Sequence, residues 1–129
     1  MQEHDREAIS FDEDEPPVLL GNNLGPNPVE YLLVALSGCL TTALVTHATA
    51  KGIELKDVQS RYEGDIDLRG FLGISEDVKK QYKEIRVFFK IDADISDAEK
   101  EDLVKMAQHY SPVFNSLKDG VNISVQLEK

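Results

Sequence analysis

Apolar and polar residues alternate along three segments of the chain, and this period-two pattern predicts half-buried antiparallel strands. The segments are residues 57–68, 84–92 and 121–128, and a shorter strand is predicted around residues 8–11. The predicted core-facing side chains are Val58, Ser60, Tyr62, Gly64, Ile66 and Leu68; Ile85, Val87, Phe89 and Ile91; and Val121, Ile123, Val125 and Leu127.

A stretch of twenty residues without a charge, Tyr31 to Ala50, predicts one long helix. Asn27 can cap its start, Pro28 suits the first helical position, and Glu30 follows three residues after the cap. Gly52 marks the end. The helix is long enough to cross a membrane, but its many hydroxyl-bearing residues and the lack of a flanking basic cluster favour a soluble core helix.

A helix without a charged face has to be surrounded by protein. In a chain of 129 residues, the sheet covers one side of this helix. We therefore expect a second copy of the chain to cover the other side, so that the protein is a homodimer and no membrane is involved.

Two shorter helices are predicted near the C-terminus. Ser96 and Glu99 form a capping box, and apolar residues follow at helical spacing as far as Tyr110. Pro112 ends that helix, and a second one covers residues 113–118. The expected fold is a single α+β domain, residues 1–129, with a mainly antiparallel sheet, one long buried central helix and a shorter helical pair. Residues 1–25 are an acidic segment with a short strand and a loop, and residues 69–73 form another loop.

The charge of the chain is strongly negative, with 14 basic against 24 acidic residues and a net charge of −10. Nucleic-acid binding is disfavoured, because phosphates are held by clustered cations. Seven acidic residues and one basic residue, Arg6, lie among the first seventeen residues. We expect no secretory signal there, because such a signal needs an apolar run.

The single cysteine, Cys39, cannot form an intramolecular disulfide. We expect a reducing, cytoplasmic location.

Cys39 has two interpretations from the residues alone. It is either a small buried apolar residue or a reactive thiolate, which requires access and a nearby cation. No basic residue neighbours it on the helix. Glu30, nine residues earlier, lies half a turn away around the helix and is first a capping residue. His47, eight residues later, is too far along the helix to serve as its base.

Motifs for other chemistry are missing. The cysteine and the three histidines show no metal-ligand spacing, and there is no P-loop, dinucleotide fingerprint or hydrolase elbow. We therefore expect no metal and no cofactor.

Two motifs resemble those of a known family. Residues 25–39 read GPNPVEYLLVALSGC, which resembles the G-x-N-P-x-E-x-L-L-x-A-x-x-x-C signature of the OsmC/Ohr family, named for osmotically inducible protein C and organic hydroperoxide resistance protein. Residues 111–115 read SPVFN, similar to the family's C-P-V-S-N pattern. The resemblance covers the chain from about Phe11 onward. It implies an intertwined homodimer with active sites at the subunit interface.

The resemblance also implies a peroxidase reaction. In the family, the first cysteine attacks an organic hydroperoxide or hydrogen peroxide, assisted by an Arg and a Glu. A second cysteine then forms a disulfide, which an external dithiol reduces. By this resemblance, Cys39 corresponds to the peroxidatic cysteine, and Glu30 is the nearest match to the assisting acid. In the hydroperoxide-resistance branch the acid directly follows the proline, a position that Val29 occupies in this chain, so Glu30 comes one position later.

The assisting cation and the resolving residue differ most from the family pattern. Arg6 is the upstream candidate for the cation, and Arg69 is an unmatched second one. Ser111 occupies the resolving position, and a hydroxyl cannot form a disulfide. An external thiol must therefore resolve an oxidised Cys39.

Three hypotheses about function follow. The first is a thiol-dependent peroxidase, active in the oxidative stress response, with the single cysteine Cys39. The second is a non-catalytic dimer that binds a small hydrophobic ligand or senses oxidants. The third is a structural Cys39 in a protein whose activity lies elsewhere.

Overall fold

The computed structural model of the chain describes residues 7–128. Its elements, in chain order, are a 3₁₀-helix, Pro17–Leu19, followed by α1, Pro28–Ala50; β1, Leu55–Asp65; α2, Leu68–Phe71; β2, Glu84–Ala93; α3, Asp97–Tyr110; and α4, Pro112–Asp119. The predicted α+β class is confirmed. The chain divides into two compact units, which meet within α1 between Val34 and Ala35.

In the first unit, a loop is organised around the carboxylate of Asp14. This carboxylate accepts backbone N–H groups of Leu24 at 3.1 Å, Glu15 at 2.8 Å and Asn22 at 3.0 Å. These hydrogen bonds lower the pKa of the Asp14 carboxyl below its usual value, and the bond from Leu24 has the largest effect. The loop is therefore ordered by one side chain rather than by a sheet.

The predicted strand around residues 8–11 is wrong. The chain is irregular there, and the side chains of Ile9 and Phe11 are 57 % and 71 % exposed. A strand needs a neighbour to take its backbone hydrogen bonds, and in the described residues this segment has none.

The start of α1 is the predicted capping box. The Glu30 N–H donates to Asn27 Oδ1 at 2.9 Å, and the Asn27 N–H donates to Glu30 Oε1 at 3.0 Å. Pro28 is the first residue of the helix, and Ala50 is the last. Gly52 follows with a φ of +73°, a left-handed conformation that favours glycine. The predicted helix bounds are confirmed.

In the second unit, β1 and β2 form a two-stranded antiparallel sheet. Val58 lies opposite Ile91 and Tyr62 lies opposite Val87. All four of these side chains pack in or against the core, which confirms the alternation at these positions. The predicted extent of the first strand is wrong at its end: β1 stops at Asp65, and Leu68 begins α2 because the Asp67 side chain caps a helical turn there. Ser60, predicted to face the core, is exposed.

The third predicted strand is wrong. Residues 121–128 are not in a strand, and their apolar side chains are 60–91 % exposed. Alternation shows that a segment has one apolar face, but it does not supply a neighbouring strand. In the described chain the sheet contains β1 and β2, with no third strand.

The core of the second unit is built where α1 and α3 pack with β2. Leu36, Leu40, Leu44 and Ala48 recur every four residues and form the buried stripe of α1. Leu103 and Ala107 are the buried residues of α3, and Ile91 and Ala93 are those of β2. Both predicted late helices are confirmed.

The expectation of a buried central helix holds for one side of α1 only. Within one chain, only 17 % of its most apolar 18-residue window is buried. The helix is long and apolar enough to cross a membrane by length and composition, a test that the core helix of a soluble protein also passes. The second copy expected on its uncovered side stays a prediction.

Residues 69–73 are also not simply a loop. Leu68–Phe71 form one helical turn, because the Asp67 side chain accepts the N–H of Arg69 and caps the turn. The side chains of Phe71 and Leu72 are 70 % and 53 % exposed.

Candidate functional site

The candidate site is the meeting point of Cys39 and Ser111, which are 72 residues apart in sequence. Cys39 lies in the middle of α1 and is half-buried. Ser111 lies between α3 and α4 and is completely buried. The hydroxyl of Ser111 donates to Cys39 Sγ at an Oγ–Sγ distance of 3.0 Å. The fold thus brings together the two residues that stand at the two motif positions.

Ser111 is fixed because it serves as the N-cap of α4. The Phe114 N–H donates to Ser111 Oγ at 3.1 Å, and Pro112 occupies the first position of the helix. A serine followed by proline is well suited to this place, since serine is a preferred cap and proline lacks the N–H that would be left unpaired. The capping requirement therefore holds the hydroxyl beside Cys39.

Asn115 holds the corner between α3 and α4 together. Its Nδ2 amide donates to the backbone carbonyls of Ser111 at 2.8 Å, Gln108 at 3.2 Å and His109 at 3.2 Å. These carbonyls lie at the C-terminal end of α3, where the helix itself provides no donors. Sequence reasoning missed this role, although Asn115 is part of the second motif.

An open groove of about 440 Å³ lies against Cys39. Its α1 wall consists of small uncharged residues, Gly38, Thr42, Ala43 and Thr46. His47, Tyr110 and Pro112 complete the lining. An apolar or weakly polar molecule fits such a wall better than a highly charged one.

Two aromatic side chains face each other in the lining of the groove. The rings of His47 and Tyr110 are stacked, with centroids 4.3 Å apart and planes at 24°. The ring of His109 meets Tyr110 edge-on at 4.6 Å. His47 and Cys39 therefore line the same groove, although they lie about two helical turns apart on α1. The spacing of Cys39, Ala43 and His47, four residues apart each time, was the sequence signal for this arrangement.

The predicted assisting residues are not gathered around the sulfur by any described contact. Glu30 belongs to the first unit, where it caps α1. Arg6 lies outside the described residues. The guanidinium of Arg69 binds Asp67, with Nη2 at 2.6 Å from Oδ2, and this pairing holds the pKa of Asp67 below its usual range. Arg69 is thus engaged by a carboxylate of its own turn.

In residues 7–128, no group of three or more His, Cys, Asp or Glu side chains is placed so that it could hold a metal ion.

The sequence profile of the family described as "OsmC-like protein" matches residues 21–126. The chain belongs to the OsmC-like protein family. The match includes Cys39 and Ser111 and most of the chain. No curated protein sequence matches it closely enough to count as a relative.

Solved structures of OsmC-like proteins share this fold. An OsmC-like protein from Mycoplasma pneumoniae superposes with a TM-score of 0.65 at 21 % identity, over 73 % of this chain and 63 % of that one. An OsmC-like protein from Vibrio cholerae gives 0.63 at 15 % identity, over 78 % and 64 %. The chain therefore spans less than two thirds of the length of these two structures.

A third structure carries a functional description. It is an organic hydroperoxide resistance protein OsmC from Legionella pneumophila, also described as a redox protein and a regulator of sulfide bond formation. It superposes with a TM-score of 0.64 at 20 % identity, over 88 % of this chain and 77 % of that one. At these identities the likeness establishes the OsmC-like fold.

Proposed function

We propose that this OsmC-like chain is a thiol-dependent peroxidase in which Cys39 reduces organic hydroperoxides or hydrogen peroxide. The observation that carries the proposal is the position of the Cys39 sulfur, which lies against an open groove and accepts the Ser111 hydroxyl at 3.0 Å. A reactive thiolate needs access, which the groove provides, and the Ser111 hydroxyl adds a hydrogen bond to the charged sulfur. The description of the Legionella structure as a hydroperoxide resistance protein supports the same chemistry.

In the first step, the Cys39 thiolate attacks one oxygen of the peroxide. The S–O bond forms as the O–O bond breaks, and the leaving oxygen takes a proton and departs as an alcohol or water. The sulfur is oxidised to a sulfenic acid and the peroxide is reduced by two electrons.

In the second step, an external thiol attacks the sulfenic sulfur and water leaves, giving a mixed disulfide. A second external thiol releases Cys39 as a thiol and carries away the other sulfur as a disulfide. Cys39 is the only cysteine of the chain, and its neighbour is a hydroxyl. The reducing equivalents therefore come from small thiols or a dithiol protein, as in a reducing cytoplasm.

The assisting groups are part of the proposal. Arg6 is the candidate for the cation beside the thiolate, since Arg69 is bound to Asp67. Glu30 is the candidate acid of the first motif, in addition to its capping bond with Asn27.

We propose further that the active form is a homodimer joined through α1. The exposed residues Ala35, Gly38, Thr42, Val45 and Thr49 recur at spacings of three and four residues, which is the pattern of a helix–helix seam. None of them is charged, and Gly38 and Thr42 also line the groove, so a partner chain on this seam would border the groove beside Cys39. A second copy of α1 is a suitable occupant for this seam, because two such small-residue faces can approach closely.

Peroxidase activity is tested with purified protein, cumene hydroperoxide or hydrogen peroxide, and a small thiol. We expect thiol-dependent peroxide consumption by the natural chain and only the background rate with Cys39→Ser. Mass spectrometry after peroxide alone should show one added oxygen on the natural chain. Equal rates for the two proteins would refute the catalytic role of Cys39.

The second candidate function is a non-catalytic dimer that binds a small hydrophobic molecule or senses oxidants. The groove favours it in one respect, because its described lining contains no Lys, Arg, Asp or Glu side chain. An unreactive Cys39 together with saturable binding of an apolar probe in the groove would support this function over the peroxidase.

A further inference from the structure

We propose that Ser111 is a catalytic residue, a hydrogen-bond donor that stabilises the Cys39 thiolate before it attacks. This inference rests on the proposed peroxidase function and assigns a role to the residue at the position where the family pattern has a second cysteine. It predicts that the hydroxyl contributes to the reactivity of the sulfur, rather than merely filling the place of a missing thiol.

The direction of the hydrogen bond follows from the partners of the Ser111 oxygen. The Phe114 N–H already donates to this oxygen at 3.1 Å, which occupies one of its two lone pairs. In the described residues, the acceptor for the hydroxyl proton is Cys39 Sγ at 3.0 Å. A thiolate can only accept, so in the reactive state the O–H must point to the sulfur. A hydrogen bond to a charged acceptor is stronger than one between neutral groups.

The donor is held in place before the reaction. Ser111 is completely buried, and its oxygen is fixed by the helix that it caps. The Asn115 amide binds the Ser111 carbonyl at 2.8 Å and ties the same corner to the end of α3. A donor that is already oriented stabilises developing charge without the cost of reorganisation. Helix α4 also directs its positive N-terminal end at the Ser111 oxygen through the Phe114 N–H.

Alkylation with iodoacetamide tests the donor without any peroxide. The rate is measured against pH for the natural chain and for Ser111→Ala, Ser111→Gly and Ser111→Thr. We expect the rate at neutral pH to fall about tenfold in Ser111→Ala and Ser111→Gly, and the pH profile to move to higher pH. Ser111→Thr, which keeps a hydroxyl, should restore most of the rate.

Two controls separate this role from a loss of structure. Ser96→Ala removes the matching cap of α3, where Ser96 Oγ accepts the Glu99 N–H at 3.2 Å, and should leave the alkylation rate unchanged. Ser111→Gly removes the hydroxyl at little cost to the helix, because glycine is a tolerated cap. Circular dichroism confirms that each variant is folded.

The outcomes distinguish this inference from the proposed function. A folded Ser111→Gly that alkylates at the natural rate would overturn the donor role, whatever the peroxidase assay shows. If alkylation depends on Ser111 but the natural chain does not consume peroxide, the donor role stands and the peroxidase proposal fails. If peroxide oxidation and alkylation fall together in Ser111→Gly, both are supported.

Discussion

The buried hydroxyl of Ser111 lies 3.0 Å from the sulfur of Cys39, although the two residues come from helices far apart in the sequence. Ser111 is held there because it caps α4, and Cys39 because the neighbouring stripe of Leu36, Leu40 and Leu44 anchors α1 in the core. The fold therefore places a buried hydroxyl in contact with the single cysteine of the chain.

Ser111→Cys should convert this site into one that closes an intramolecular disulfide. The oxygen–sulfur distance of 3.0 Å already places the two side chains in contact, and a sulfur on the longer C–S bond would lie nearer still to Cys39. After one equivalent of peroxide we expect both thiols to disappear together, with a mass loss of two hydrogens on non-reducing mass spectrometry.

Ser116→Cys is the matched control for this disulfide. Ser116 lies on the same helix, α4, is exposed, and has no described contact with Cys39. Its thiol should remain titratable after the same oxidation. Retention of both thiols in Ser111→Cys, with Cys39 oxidised to the sulfenic acid, would contradict the expected geometry.

Tyr110→Ala should weaken the binding of large hydroperoxides in the groove. The Tyr110 ring lines the groove and stacks on His47 with centroids 4.3 Å apart. Its removal takes away apolar contact for a bulky substrate, whereas hydrogen peroxide is too small to use that wall. We expect KM for cumene hydroperoxide to rise several-fold and KM for hydrogen peroxide to stay within twofold, in steady-state assays of both substrates.

Phe71→Ala is the control for the loss of an exposed aromatic ring. Phe71 is 70 % exposed on α2 and does not line the groove. Its KM values should match those of the natural chain for both substrates. An equal rise in both KM values for Tyr110→Ala would show a general disturbance of the site instead of a wall that selects by size.

The helices could be predicted from sequence because their ends carry local signals. The Asn27–Glu30 and Ser96–Glu99 capping boxes depend on residues three positions apart, and both are present in the structure. The strand predicted at residues 121–128 does not form in the structure, because strand pairing depends on contacts between distant segments. The alternation there marks an apolar face, with Val125 91 % exposed, but it carries no information on a neighbouring strand.

The site was predictable in part for the same reason. The motif positions identified Cys39 and Ser111, but the contact between them depends on how α1 packs with the α3–α4 corner. The Asn115 bonds to three carbonyls depend on that corner as well. His47 and Tyr110 were not recognised together, because 63 residues of sequence separate two rings that stack in the fold.

Arg86→Gln should reduce stability at neutral pH and have less effect in acid. Arg86 Nε binds Glu63 at 2.7 Å and its Nη1 binds Asp65 at 2.7 Å, and these hydrogen bonds lower the pKa of both carboxyls. A lowered pKa in the folded state gives stability above the unfolded value, about 4, that is lost as pH falls through the folded value. The urea midpoints of natural chain and variant should differ at pH 7 and converge towards pH 3.

Lys80→Gln is the control for this pH dependence. The Lys80–Glu76 pair joins residues four apart at 3.1 Å, and both side chains are exposed. Such pairs contribute little to stability. The variant should follow the natural chain at every pH, whereas a constant difference between Arg86→Gln and the natural chain from pH 7 to pH 3 would contradict the role of the Arg86 ion pairs.

Val45→Glu should dissociate the proposed homodimer and leave the fold of the single chain in place. Val45 is 42 % exposed on the uncharged seam of α1, and it lies apart from the buried stripe that holds the helix to the core. A second α1 packed on the seam would have to bury an unpaired carboxylate, which is costly. We expect the dimer dissociation constant in sedimentation experiments to rise at least about tenfold.

Lys105→Glu is the control for the added negative charge. It changes an exposed position of α3, and the variant should sediment as the natural chain does. A natural chain that sediments as a monomer at high micromolar concentration would refute the α1 dimer itself.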